Sequence, residues 1–263
     1  MQPSTEYLKA EGISKQFLRN GQAVVALENF DLSISEGEFV SIVGPSGCGK
    51  STFLHIVGGF EARTGGTISL AGQPVSKPGP DRGMLFQDYA LFPWRTVLGN
   101  VAWGLEVKGL DKSERLALAR KYIDMVGLSK FENSYPGELS GGMQQRVALA
   151  RTLAYEPQML LMDEPFGALD AQTRELMQEE LTDIWQQNRR TVLFVTHDIE
   201  EAIYLSDRII VFTARPGRIK ADLRVNLPRP RSAAIRKSQA FMGQHAEIWD
   251  MLREEVLRAK EAA

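Results

Sequence analysis

One stretch limits the folds open to this chain more than any other: Gly44, Pro45, Ser46, Gly47, Cys48, Gly49, Lys50 and Ser51. It fits G-x-x-x-x-G-K-[ST] without a gap, and both flanks suit the pattern. The run Phe-Val-Ser-Ile-Val at 39–43 reads as a buried strand leading in. Thr52 and the Phe-Leu-His-Ile-Val that follows read as the first turns of a helix leading out. Strand, glycine loop and helix in that order make a phosphate cradle. Gly44, Gly47 and Gly49 let the backbone aim its N–H groups at one point, and the positive end of the helix dipole adds to the pull on an anion. Lys50 is placed to reach the β- and γ-phosphates of a nucleotide. Ser51 offers its hydroxyl to Mg²⁺.

Cys48 is the only cysteine. It reads as a small filler, and at a helix N-terminus its thiolate would also be favoured, which predicts ready alkylation. One cysteine excludes an internal disulfide and fits a reducing compartment. The 263 residues suffice for one large α/β domain with a small subdomain. The formal net charge of −2 gives no support to a nucleic-acid partner. The N-terminus has no basic-then-apolar leader, and no apolar run is long enough to span a bilayer. The expectation is a soluble, cytosolic chain.

Residues up to about 37 carry short apolar stretches such as Val24 to Leu27 and read as antiparallel strands. Residues 65–85 are rich in glycine and proline, which is strand and turn material. From Val97 to about Ala154 the spacing turns helical, with Leu116, Ala119, Tyr122, Ile123 and Val126 on one stripe. Apolar runs at 159–162 and 191–196 then suit strands of a parallel sheet covered on both faces. The expected plan is one domain over 1–263. Its core takes about 1–88 and 155–228, a helical insert about 89–154, and a helical tail about 229–263, with Ile248, Leu252 and Val256 on one face.

Asp163 and Glu164 follow the run at 159–162 directly, so they sit at the carboxyl edge of a parallel sheet, where ligands bind. Asp163 suits Mg²⁺, and Glu164 suits a general base that polarises water. Ser140 is a good N-cap, and with Gly141 and Gly142 it opens a second helix that can hold an anion. An ordinary Gly-Gly loop has the same spacing. One nucleotide cannot easily lie on two such helices of one chain, and two chains arranged head to tail resolve this. Gln87, at a strand end, can touch Mg²⁺ or water. His197, at another, can bond a γ-phosphate or be structural. Phe17 can stack on adenine or belong to the core. Asp170 can cap the helix beginning near Ala171, with a contact across a dimer as an added role. His55 and His245 fit no such place and read as structural or surface residues.

Taken together, these residues resemble the ATP-binding subunit of an ABC transporter over essentially the whole chain. Walker A is 44–51, the Q-loop residue is Gln87, the signature is 139–143 and Walker B is 159–164. The D-loop is 168–170, the switch histidine is His197, and Phe17 matches the aromatic A-loop position. The resemblance implies a P-loop NTPase core of mostly parallel sheet, an antiparallel β subdomain and an inserted helical subdomain. It implies ATP and Mg²⁺ as cofactors, with Thr52 among the ATP-binding residues. Lys50, Gln87, Glu164 and His197 are implied to be catalytic, and Ser51, Gln87 and Asp163 to serve the metal. It further implies a homodimer in which Ser140, Gly141 and Gly142 act on the partner chain's ATP.

Its implied partners are an integral membrane permease and a periplasmic or lipoprotein substrate-binding protein, with the chain peripheral on the cytoplasmic face of the inner membrane. The family's signature usually ends in glutamine, and here Met143 stands in its place. Met143, the run at 86–97, the run at 169–175 and Arg215-Pro-Gly-Arg-Ile219 are similar to nitrate, taurine, alkanesulfonate and bicarbonate importers. Other cargoes stay open, such as a pyrimidine or thiamine precursor or a polyamine. A soluble ABC ATPase acting on nucleic acid or ribosomes is the rival class. Such proteins usually carry a long coiled-coil insert or two cassettes, and this chain has one cassette and a short insert.

Overall fold

The computed structural model describes residues 6–261. In chain order the strands and helices are β1 (Glu6–Arg19), β2 (Gln22–Ser35), β3 (Phe39–Val43), α1 (Lys50–Gly58), β4 (Gly65–Leu70), β5 (Gln73–Pro74) and β6 (Arg82–Leu85). They continue as α2 (Val97–Val107), α3 (Lys112–Met125), α4 (Gly141–Ala154), β7 (Met159–Asp163), α5 (Ala171–Asn188) and β8 (Thr191–Val195). The last are α6 (Ile199–Leu205), β9 (Arg208–Phe212), β10 (Ile219–Arg224) and α7 (Gln239–Glu261). The chain divides into two compact units, residues 1–79 with 189–263, and residues 80–188.

In the first unit, β1 and β2 form a long antiparallel hairpin. Arg19 pairs with Gln22, so the turn is the two residues Asn20 and Gly21, with φ of 53° and 77°. Asn-Gly is the pair that tolerates the left-handed turn matching strand twist. β4 pairs on the other side of β1, and β5 pairs on β4, all antiparallel. The second ladder of this unit has β3 parallel to both β8 and β9, and β10 antiparallel at the edge. All five residues of β3 and of β8 are buried. Strands buried along their whole length need cover on both faces. Phe53 of α1 supplies part of it, 5.0 Å ring to ring from Phe30, which in turn lies 5.4 Å from Phe212.

The tail corrects one expectation. Helix α7 buries Phe241, Ile248 and Glu255, while Leu252 is half-buried and Val256 is 40% exposed. The buried stripe therefore runs at seven-residue spacing and ends on a carboxylate rather than on Val256. The reason is polar. Glu255 accepts from the Ala214 N–H at 2.9 Å and pairs with Lys220 at 2.9 Å, and this turns Val256 to solvent.

In the second unit, β6 and β7 pair in parallel, Leu85 opposite Met162. Helices α2, α3 and α4 pack together over residues 97–154. Asp111 caps α3 by accepting from the N–H groups of Ser113 and Glu114, and Thr96 caps α2 through the N–H of Gly99. The stripe expected on α3 is buried at Ala119, Tyr122 and Ile123 and half-buried at Leu116, and Val126 just beyond it is buried. Among the described residues no helix is long and apolar enough to cross a membrane.

Candidate functional site

The phosphate loop lies in the first unit, between the end of β3 and the start of α1. Gly49 caps α1 with φ of 108°, and Gly47 has φ of 73°. A Cβ on Gly49 would stand 2.6 Å from Leu27 Cδ2 and 2.8 Å from the Ala26 carbonyl, so both conformation and space require glycine. Gly44 serves differently from the expectation. Its φ is not left-handed, and it is needed for space, because a Cβ there would meet Cys48 Sγ at 2.9 Å and Phe212 Cβ at 3.0 Å. Lys50 is buried, and its Nζ donates to the carbonyls of Gly44 at 2.8 Å and Pro45 at 3.1 Å. The loop's own carbonyls thus hold the ammonium beside the cradle. Ser51 and Thr52 are half-buried on the first turn of α1, Pro45 is half-buried, and Ser46 and Gly47 are exposed.

Cys48 keeps its expected place as a filler and corrects only the expectation of ready alkylation. It is 1% exposed, and burial pushes its thiol above the usual range despite the nearby charge of Lys50. Desolvation of a thiolate outweighs the pull of the helix N-terminus, so ready alkylation does not follow. The side chain is a filler against Gly44.

His197 is exposed two residues beyond β8, in a turn held on both sides. The Asp198 N–H donates to Thr196 Oγ1 at 3.0 Å, and the Asp198 carboxylate caps α6 by accepting from the Glu201 N–H at 3.1 Å. Phe17 on β1 is 37% exposed, with Lys15 Nζ 4.6 Å from its ring centre. The ring is not a core residue. His55 is half-buried on α1, and His245 stacks on Trp249 with ring centres 6.4 Å apart.

Two residues of this unit escaped the sequence reading. Arg215 donates to the Gly47 carbonyl through Nη2 at 3.1 Å and Nε at 3.3 Å. Gly217 lies so close to the loop that a Cβ would stand 2.2 Å from the Cys48 carbonyl. In sequence the run 215–219 is only a mark of relatedness; in the structure Arg215 and Gly217 brace the phosphate loop.

The second unit carries the carboxylates and the second glycine turn. Asp163 is the buried last residue of β7. Glu164 follows, half-buried, with φ of 43°. A left-handed residue bearing a Cβ costs of order 1–3 kcal/mol, and such strain gathers at functional sites. Its backbone is pinned by the Gly167 N–H, which donates to the Glu164 carbonyl at 3.1 Å. Gln87 is exposed two residues beyond β6, and a Cβ on Gly167 would lie 4.0 Å from its Nε2. Gln87 and the Asp163–Glu164 pair therefore stand together at the carboxyl edge of β6 and β7.

Ser140 caps α4, its hydroxyl accepting from the Met143 N–H at 3.4 Å. Gly141 is exposed and Gly142 half-buried. A Cβ on Gly142 would come 2.8 Å from Thr173 Cγ2, so the glycine turn packs on the start of α5. Asp170 caps α5 through the Thr173 N–H at 3.0 Å, and that bond holds its carboxyl below the usual range. Met143 is half-buried, and the neighbouring Gln144 ties the approach to the turn by donating to the Pro136 and Leu139 carbonyls. Among the described residues no group of three or more His, Cys, Asp or Glu is disposed to hold a metal.

A protein-family profile described as ABC transporter matches residues 27–167. An uncharacterized ABC transporter ATP-binding protein of Methanocaldococcus jannaschii is 54% identical over 96% of this chain and 93% of its own length. The nitrate import ATP-binding protein NrtD of Synechocystis is 48% identical over 94% of this chain and 95% of its own. The aliphatic sulfonates import ATP-binding protein SsuB of Bacillus cereus is 47% identical over 84% of this chain and 87% of its own. Among solved structures, a dimeric ATP-binding cassette in a post-hydrolysis state with ADP and Pi superposes with a TM-score of 0.74. It is 35% identical and covers 84% of this chain and all of that one.

Proposed function

The chain belongs to the ABC transporter family as an ATP-binding, ATP-hydrolysing subunit, and from that premise we propose that it drives uptake of a small anion of the nitrate or sulfonate type. The observation that carries the reading is that the chain offers two helix N-termini built for phosphate. One is the loop 44–51 before α1, and the other is the Ser140 turn before α4. Each ATP is sandwiched between the loop of one copy and Ser140, Gly141 and Gly142 of another, in a head-to-tail homodimer that closes on ATP.

Within each site the loop amides and Lys50 bind the phosphates, with Gly44, Pro45, Ser46, Gly47, Cys48, Gly49 and Thr52 shaping the cradle. Phe17, a half-exposed ring, takes the adenine. Ser51, Asp163 and Gln87 would hold Mg²⁺, which supplies charge neutralisation on the phosphate oxygens. Glu164 orients the attacking water and accepts its proton. Gln87 and His197 register whether a γ-phosphate is present, and Asp170 borders the partner copy. Hydrolysis depends on closure because half of each site arrives from the other chain.

The permease meets the helices of 97–154. Trp103 on α2 and Trp94 in the loop just before it are exposed, at 40% and 72%, around Phe92. Exposed aromatics of this kind mark an interaction surface. With a substrate-binding protein outside, periplasmic or lipid-anchored, the chain works as a peripheral subunit on the cytoplasmic face of the inner membrane. The nitrate and sulfonate relatives support the anion class. The net charge of −2 gives no support to action on nucleic acid.

The test is to recover the chain from detergent-solubilised native membranes and identify what accompanies it. A small multi-span permease, and a binding protein that takes up nitrate or a sulfonate, is the expected result. A binding protein for a pyrimidine or thiamine precursor or a polyamine would overturn the cargo class alone. Recovery only with nucleic acid or ribosomes would overturn transport.

A further inference from the structure

Arg151 lies near the end of α4, the helix that Ser140 opens. Its guanidinium closes on the segment just after Gln87. Nη1 donates to the Ala90 carbonyl at 2.6 Å and Nη2 to the Tyr89 carbonyl at 2.7 Å. These are charge-assisted bonds at the short end of the range, made by the two arms of one planar fork. The two residues they grip are unusual. Tyr89 has φ of 58° and Ala90 φ of 45°, so two successive residues with a Cβ sit in the left-handed region. Side chains disfavour that conformation, and it persists only where the surroundings impose it.

The same guanidinium lies 5.6 Å from the centre of the Phe92 ring, within reach of a cation–π contact. Phe92 is fixed from the other side. Its N–H donates to Asn100 Oδ1 at 2.8 Å, and Asn100 Nδ2 donates to the carbonyls of Phe92, Arg95 and Thr96. The Phe92 ring stands 5.0 Å from Trp103 and 5.7 Å from Trp94. A single side chain thus joins the helix of the Ser140 turn, the backbone that carries Gln87, and the exposed aromatic surface.

We propose that Arg151 is a positioning residue for Gln87, holding 89–90 in the left-handed turn and making the Ser140 helix and the Gln87 segment move as one piece. The proposal rests on the reading of Gln87 as a residue that serves the nucleotide. It gives the energetics a direction. Without the fork, Tyr89 and Ala90 relax toward ordinary backbone, and Gln87 loses its place at the carboxyl edge of β6.

Steady-state ATPase kinetics of the full chain, with melting curves, test this in wild type, Arg151→Gln, Arg151→Lys, Gln87→Ala and the double variant Arg151→Gln/Ala90→Gly. The expected result is a loss in kcat of about tenfold for Arg151→Gln, with KM for ATP within about twofold. Arg151→Lys, which keeps the charge but not the fork, falls between. The added Ala90→Gly restores part of the lost kcat, because glycine adopts positive φ without the side-chain penalty. A merely structural arginine would show no such rescue. Unchanged kcat in Arg151→Gln beside a large loss in Gln87→Ala would overturn the proposal and leave the Gln87 reading standing. Full activity in Gln87→Ala would overturn that reading and the proposal with it. If Arg151→Gln does not fold, Arg151→Lys carries the test, with wild-type kcat as the overturning result.

Discussion

Arg215 grips the phosphate loop at Gly47, donating to its carbonyl from Nη2 at 3.1 Å and Nε at 3.3 Å. The turn that carries Arg215 is held from the far side by the tail helix, where Glu255 accepts the Ala214 N–H at 2.9 Å. The tail and the loop are therefore linked through two consecutive residues, Ala214 and Arg215. The Arg215 side chain is exposed, so the contact is modest in energy.

Arg215→Gln is expected to raise KM for ATP about two- to fivefold, the size of one weakened charge-assisted bond in solvent, and to leave kcat nearly unchanged. Nucleotide titration and steady-state kinetics check it. A fall in kcat with KM constant would contradict the assignment of Arg215 to the ground-state shape of the loop.

Gly217→Ala puts a Cβ 2.2 Å from the Cys48 carbonyl and 3.2 Å from the Ala26 carbonyl. Both neighbours are backbone and cannot swing aside. Overpacking of this kind costs about 1–3 kcal/mol. Urea unfolding should show a lower midpoint, and an unchanged midpoint would mean that the turn yields freely.

Burial alone would raise the Glu255 carboxyl, but the Ala214 N–H and Lys220 outweigh it and hold it below the ordinary glutamate value. A depressed folded value means that the stabilisation is present above the unfolded value of about 4.3 and is lost as pH falls through the folded one. Glu255→Gln should be less stable than wild type by about 1–2 kcal/mol near neutrality, and the gap should close in acid. Unfolding curves at neutral pH and near pH 3 read this directly, and a gap that persists undiminished in acid would contradict it.

Cys48 should resist alkylation in the native chain and react at least about tenfold faster once urea unfolds it. ATP should change neither rate much, because burial rather than the nucleotide shields the thiol. Rapid native labelling would contradict the burial of Cys48.

What could be read before the structure was local. The phosphate loop, the apolar strands at 39–43 and 159–162 and the caps at Ser140 and Asp170 are all set by neighbours in sequence, and each appears where its spacing placed it. What escaped was set by distant contacts. Arg151 meets Ala90 across 61 positions, and Arg215 meets Gly47 across 168, so neither residue has a local pattern that marks it. Cys48 is the small filler its sequence context suggests, and only its expected reactivity fails, because a helix N-terminus is visible in sequence and burial is not. Val256 was misread because the helical period alone does not say that a carboxylate one residue earlier has partners on β10 and in the turn before it. The strain at Glu164, Tyr89 and Ala90 is likewise invisible in a sequence, since none of the three is a glycine.

The central claim is that ATP closes two copies head to tail and that Glu164 then hydrolyses it. Glu164→Gln should slow turnover by about 10²–10⁴ with ATP binding largely intact, so the closed state accumulates. Size-exclusion chromatography with light scattering on this variant is the most direct measurement. The account predicts a dimer with ATP and Mg²⁺, a monomer with ADP, and a monomer with ATP once Ser140→Arg is added, although ATP still binds. A variant that stays monomeric with saturating ATP, or that turns over at nearly the wild-type rate, would contradict it.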